Sequence, residues 1–157
     1  MDNLVRMIKL AEEFFGMRSD PDQISVDEGV SQKLRNIHRA TMNEERTTDG
    51  PVAWVLVIPT TGEIMELFLT KQITERKLLE KTPVPGRYTA LYLCSALVLP
   101  EHRGKGLARR LAGRAIRAIQ ADYSIGDLFY WGFSTEGEKL AARLAEEFGL
   151  PLHRRSP

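Results

Sequence analysis

Cysteine is all but missing: Cys94 stands alone, beside three histidines, His38, His102 and His153. A single thiol excludes an intramolecular disulfide and a multi-cysteine zinc site. The histidines are far apart and no ligand spacing joins them, so no metal site is expected. Charge of one sign is missing as well. The 22 Lys and Arg residues against 21 Asp and Glu leave a net charge of +1. No global field points to nucleic acid or to a membrane surface. No apolar run nears the ~20 residues of a membrane-spanning helix. The opening stretch, MDNLVRMIKLAEEFF, has neither the basic start nor the small-residue cleavage segment of a secretory signal. Repeats and low-complexity segments are absent too. A cytoplasmic protein that binds neither nucleic acid nor membrane is the expectation.

What is present is an ordinary globular balance, 43% hydrophobic and 27% charged over 157 residues. That is enough for a single domain over residues 1–157 with its own core. Leu4, Ile8, Ala11 and Phe15 recur at helical spacing, with Val5, Met7 and Phe14 beside them. They predict an amphipathic helix that Gly16 ends. The segment SDPDQ reads as a turn or a helix start. A second helix is expected from about Val26 to Met42, with Ser25 and Glu28 at capping-box spacing. Residues 1–48 thus read as an N-terminal helical segment. The polar stretch NEERTTDG closes it, with Asp49-Gly50 as a turn.

The periodicity then changes. VAWVLVI and IMELFL are short apolar runs, read as two strands of an antiparallel hairpin. TERKLLEK predicts a short helix and TPVPG an irregular loop. ALYLCSALVL predicts a strand buried on both faces. Leu107, Leu111, Ala115 and Ile119, at steps of four, predict a helix from about Gly106 to Ala121. Arg110, Arg114 and Arg117 form a separate solvated row on it. DLFYWGF reads as a strand. Thr135 and Glu138 stand at capping-box spacing before a last helix that Gly149 stops. The tail has room for one short strand at most. The strand–helix–strand segment from Ala90 to Phe133 should place its two strands parallel. The fold class is therefore α/β (α+β), a mixed sheet flanked by helices.

One junction carries chemistry. In LPEHRGKGLARR a strand becomes a helix through Gly104 and Gly106, flanked by Arg103 and Lys105. A helix N-terminus presents backbone N–H groups and a partial positive charge, which suits an anion. Glycine lets a phosphate approach the backbone closely. The expected ligand group is a phosphate or pyrophosphate held mostly by main-chain amides. The spacing is not that of a Walker loop. It is not the dinucleotide fingerprint either, because Arg109 stands where a third glycine belongs.

The phrase VLPEHRGKGLARRL resembles motif A of the GNAT acyltransferases, [QR]-x-x-G-x-[GA]. Arg103, Gly106 and Ala108 match it, and Val98 to Arg103 match the preceding V-x-P-E-x-R. The resemblance in element order runs from about Pro51 to Leu150, a core with the motif at 97–108. It implies a mostly antiparallel sheet with a splayed parallel pair of strands. It implies that acetyl-CoA, or another acyl-CoA, lies in that splay as co-substrate. Main-chain groups around Leu97 and Val98 would then contact pantetheine. Amides of Arg103, Gly104, Lys105, Gly106, Leu107 and Ala108 would hold the pyrophosphate. The implied activity is acyl transfer to an amine.

Such transfer needs a proton acceptor for the amine, donors for the oxyanion and an acid for the thiolate. The tyrosine that the family often uses as acid is absent, since Ala145 occupies its place in AEEFGL. Glu138 stands where the family often has asparagine. The motif strand carries no carboxylate. Glu66, within IMELFL, is the carboxylate considered instead, with Glu63 nearer the turn. Tyr88 and Tyr92 are the remaining polar candidates, although each reads first as a packed aromatic with a satisfied hydroxyl. Glu101 and His102 adjoin the loop on its solvent side. Cys94, mid-strand, reads as a buried inert thiol. These departures leave a second reading open, a non-catalytic acyl-CoA-binding or regulatory module. The short tail leaves a sheet edge that a second copy of the chain would complete, so a homodimer is a further expectation.

Overall fold

The computed structural model describes residues 2–18 and 28–157. SDPDQ, Ser25, Val26 and the side chain of Phe15 lie outside the described residues. Helix α1 (Asn3–Arg18) runs on past Gly16. Helix α2 (Glu28–Ile37) stops short of the expected Met42. The chain is turned out of the helix there by local bonds. The imidazole Nδ1 of His38 accepts the Ala40 N–H at 2.9 Å, and the Thr41 hydroxyl donates to the Leu34 and His38 carbonyls.

Strand β1 (Met42–Thr47) follows, inside the segment expected to be helical. It pairs antiparallel with β2 (Gly50–Thr60), and the two form the hairpin around the Asp49-Gly50 turn. IMELFL is not a strand. It lies in helix α3 (Gly62–Leu69), capped by the Thr61 hydroxyl, which accepts the Ile64 N–H at 3.2 Å. Ile64, Met65 and Phe68 are buried at helical spacing, and only Ile64 is β-branched, so the apolar run suits a helix better than a strand. Helix α4 (Glu75–Lys81) and the loop after it agree with the sequence reading.

Strand β3 (Ala90–Val98) leads through a 3₁₀ turn at Pro100–His102 into helix α5 (Leu107–Asp122). Strand β4 (Asp127–Trp131), helix α6 (Thr135–Phe148) and strand β5 (Leu152–Arg155) complete the chain. The sheet order is β1-β2-β3-β4-β5. The first two pairings are antiparallel and the last two parallel, so the tail adds a second parallel pair to the expected one. The sheet is mixed and flanked by helices.

The main core includes Leu34, Phe68, Leu91, Tyr92, Ile116 and Phe129. Phe68 reaches from α3 into an aromatic layer, 5.0 Å from the Tyr92 ring and 5.9 Å from those of Phe129 and Trp131. A smaller cluster joins Met7 of α1 to Val52, Leu97 and Leu99. Helix α1 therefore turns Met7 inward, with Leu10, Ala11 and Phe14 beside it, while Leu4, Val5 and Ile8 are exposed. Its N-terminus is fixed by contact with the hairpin turn. Asn3 N–H donates to Asp49 at 3.3 Å, and its Cβ would lie 3.3 Å from a Cβ placed on Gly50. Among the described residues no helix is long and apolar enough to cross a membrane.

Candidate functional site

The parallel pairing of β3 with β4 is short. It runs from Ala90 and Asp127 to Leu93 and Tyr130 and then stops, although β3 continues to Val98. Strand β4 ends at Trp131, and the ladder on the other side of β3 is irregular at the same level. Leu56 of β2 faces Ser95 and Val57 faces Leu93, so Cys94 is the extra residue of a β-bulge. A bulge bends its strand and sharpens the twist. This one sits at the residue where β4 loses its partner, and a gap opens between the two strands.

The edge of β3 along that gap can be assigned. Leu99 N–H donates to Val52 of β2 at 2.9 Å. Backbone groups alternate along a strand, so Leu97 also turns its N–H and C=O to β2. Those of Ala96 and Val98 turn to the gap. The Leu97 side chain packs in the small core with Met7. Of the two strand residues singled out in the sequence, Val98 thus presents its main chain to the gap and Leu97 does not. Ala96 shares that orientation, which the sequence does not show, because the parity of the strand depends on a bulge that leaves no sequence signal.

At the end of the gap the chain turns through two glycines. Gly104 has φ 77° and Gly106 φ 73°, a conformation that glycine reaches without strain. Gly106 is the N-cap of α5, and the first helical bond comes from Arg110 N–H at 3.0 Å. The N–H groups of Leu107, Ala108 and Arg109 belong to the open first turn. Gly104, Lys105 and Gly106 are exposed, and Leu107 and Ala108 are half-buried. One expectation needs correction. The Arg103 N–H is not presented to a ligand, because it closes the 3₁₀ turn on Pro100 at 3.2 Å. Its side chain folds back too, Nε donating to the Val98 carbonyl at 3.0 Å. Arg110 braces the turn by donating to the Lys105 carbonyl at 2.7 Å.

The turn is also tied to α1. Arg6 donates to both carboxylate oxygens of Glu101, at 2.6 and 2.7 Å. That pairing, with a main-chain hydrogen bond, lowers the Glu101 pKa to about 2. Glu101 is a tether here, on the solvent side of the loop.

A model of the acetyltransferase (GNAT) family matches residues 9–150. The chain belongs to the GNAT acetyltransferase family. No curated protein matches the chain. Membership supports acetyltransferase activity, and the phrase VLPEHRGKGLARRL that carried the resemblance spans the end of β3, the glycine turn and the start of α5. No group of three or more His, Cys, Asp or Glu side chains suited to a metal occurs among the described residues.

The residues considered for catalysis separate in space. Glu66 and Glu63 are exposed on α3 rather than on a strand. Tyr88 is buried and donates to the Pro83 carbonyl at 2.5 Å, which fastens the loop after α4, and burial raises its pKa. Tyr92 is different. It is fully buried on β3, two residues before the bulge, and donates to Glu75 Oε2 at 2.5 Å. The Cys94 thiol lies 3.7 Å from the same oxygen. Glu75 comes from the first turn of α4 and is the one buried acidic residue among the described residues. In the sequence it reads as an ordinary acidic helix start, and nothing nearby marks it as facing β3.

On the other face, Tyr130 ends the β3–β4 pairing and donates to Glu138 at 3.2 Å. Burial, and then the carboxylate of Glu138, raise the Tyr130 pKa. Glu138 also receives Arg154 Nε, and this bond lowers its own pKa. The Arg154 guanidinium covers Gly132, where a Cβ would come within 2.6 Å of it. Glu138 therefore serves β5 and does not cap α6. The cap is Ser134, which accepts the Gly137 N–H at 3.0 Å.

Proposed function

We propose that the protein is an acyl-CoA-dependent N-acyltransferase that moves acetyl from acetyl-CoA to an amine by direct attack on the thioester. The observation that carries this reading is the run of the β3 gap into the Gly104–Gly106 turn at the start of α5. A strand edge suits an extended, amide-bearing arm, and an anion site at its end suits a pyrophosphate. In this reading the main chain of Ala96 and the N–H of Val98 pair with the pantetheine arm, the Val98 carbonyl being held by Arg103. The amides from Gly104 to Ala108 hold the pyrophosphate, and Lys105 adds charge. Main-chain N–H groups on the gap stabilise the oxyanion. Holding amine and thioester together supplies a large part of the acceleration. The whole chain is taken as one catalytic domain.

Calorimetric titration of acetyl-CoA into the wild type and Gly106→Glu tests this. The glutamate puts a carboxylate where the phosphates would lie. Wild-type binding that the folded variant loses is the expected result. A well-folded wild type that binds no acetyl-CoA ends the reading. Tight binding with no transfer to a broad panel of amines would make the chain a binding module instead.

A further inference from the structure

The gap between β3 and β4 has two unlike faces. Side chains alternate along a strand. Tyr130 turns to α6, where it meets Glu138, and Trp131 turns to the opposite face, where it meets Phe68 of α3. Helix α5 lies on the α6 face. The β3–α5–β4 and β4–α6–β5 crossovers advance the same way across the sheet, so a common right hand puts both helices on one side. They touch there, with Arg109 3.8 Å from Glu147 and the Arg117 guanidinium over the Phe148 ring. The glycine turn at the start of α5 belongs to that face as well. On the α3 face the rim of the gap carries a fixed pair of rings. Trp131, the last residue of β4, meets Phe68 edge-on at 5.9 Å, and the Arg155 guanidinium lies 4.5 Å from its ring centre. Arg155 is itself tied to the Ile73 carbonyl at 3.2 Å. Phe133 directly follows β4, packs its ring 4.4 Å from that of Trp131, and is still 39% exposed.

We propose that the acceptor enters on the α3 face and is a primary amine with an aromatic ring a few bonds from its nitrogen, bound by Phe133. This rests on the acyltransferase reading above. With the phosphates at the start of α5 and the arm in the gap, the α3 face is the side left for the amine. The acceptor ring packs on the exposed side of Phe133, in the offset or edge-on arrangement that aromatic pairs prefer. A short linker then sets the nitrogen over the gap where the thioester lies. Trp131 backs Phe133 and is in turn held by Phe68 and Arg155, so the wall is in place before the acceptor arrives. A rigid ring gives contact area at little cost in conformational entropy.

Two amines that differ by the ring alone test this, 2-phenylethylamine and ethylamine. The wild type should acetylate the first with a kcat/KM at least about tenfold higher, within the usual worth of an apolar contact in a specificity site. Phe133→Ala should raise the KM for phenylethylamine about tenfold and leave its kcat, and both constants for ethylamine, within about twofold. It should bind acetyl-CoA as the wild type does. Phe133→Tyr, which keeps the ring, should keep the preference. A wild type without the preference overturns the assignment. So does a loss in Phe133→Ala that is equal for both amines, or no loss for either. So does a wild type that binds acetyl-CoA and acetylates neither amine. In each of these cases the acetyl-CoA site stands. A wild type that binds no acetyl-CoA fails at the earlier step, and both readings fall together.

Discussion

Arg6 is half-buried and Glu101 exposed, and their two short hydrogen bonds set a pH window for the attachment of α1 to the loop. The Glu101 carboxyl is lowered from 4.5 to about 2, chiefly by the bond from Arg6. A carboxyl held low in the folded state contributes stability above its unfolded pKa and loses it as the pH falls to its folded one. Urea midpoints of wild type and Glu101→Gln should differ at neutral pH and converge between about 4.5 and 2. Salt should narrow the difference, since the pair is solvated. A gap that stays constant with pH would show that charge is not its source. Gly106 belongs to this scale too. Its place in the turn before α5 was readable from the motif, whereas the use of Arg103 N–H by Pro100 was not, because a 3₁₀ turn of three residues has no periodicity to detect.

A long buried stripe was legible, and an element held by polar pairs was not. The α5 stripe of Leu111, Ala115 and Ile119 is buried as its spacing implies. Strand β1, MNEERT, has no apolar pattern. Its side chains bond sideways: Asn43 to the Val55 carbonyl, Glu44 to Trp54 Nε1, Glu45 to Arg114. A charged edge strand of this kind guards against pairing with other chains, and it hides from hydropathy for the same reason. IMELFL misled because six residues fit either period, and the Thr61 cap was overlooked. The cap of α6 allows a direct check. Ser134→Ala should cost about 1 kcal/mol in chemical denaturation, the usual worth of an N-cap, and Thr135→Ala less than about 0.5 kcal/mol. The reverse order would restore Thr135 as the cap.

Across the whole molecule, the family and the mixed sheet followed from one loop and the order of elements, while the buried acid did not. Glu75 meets Tyr92 only because α3 and α4 fold against β3, and residues 17 apart in the chain show no pairing signal. The same holds for the gap itself, which depends on the bulge at Cys94 as much as on where β4 ends.

That gap makes β3 a strand with two different halves. Before the bulge it has neighbours on both sides, and after it only β2. The second half is an edge lying in the middle of a sheet. Amide hydrogens report such a difference directly. In deuterated water those of Ala96 and Val98 should exchange quickly, and those of Leu97 and Leu99, turned to β2, slowly. Acetyl-CoA should slow the fast pair and leave the slow pair unchanged. Slow exchange at all four in the protein alone would mean that the sheet is already closed. In this view the substrate arm serves as a borrowed strand, and the sheet reaches its full hydrogen bonding only while the protein is at work.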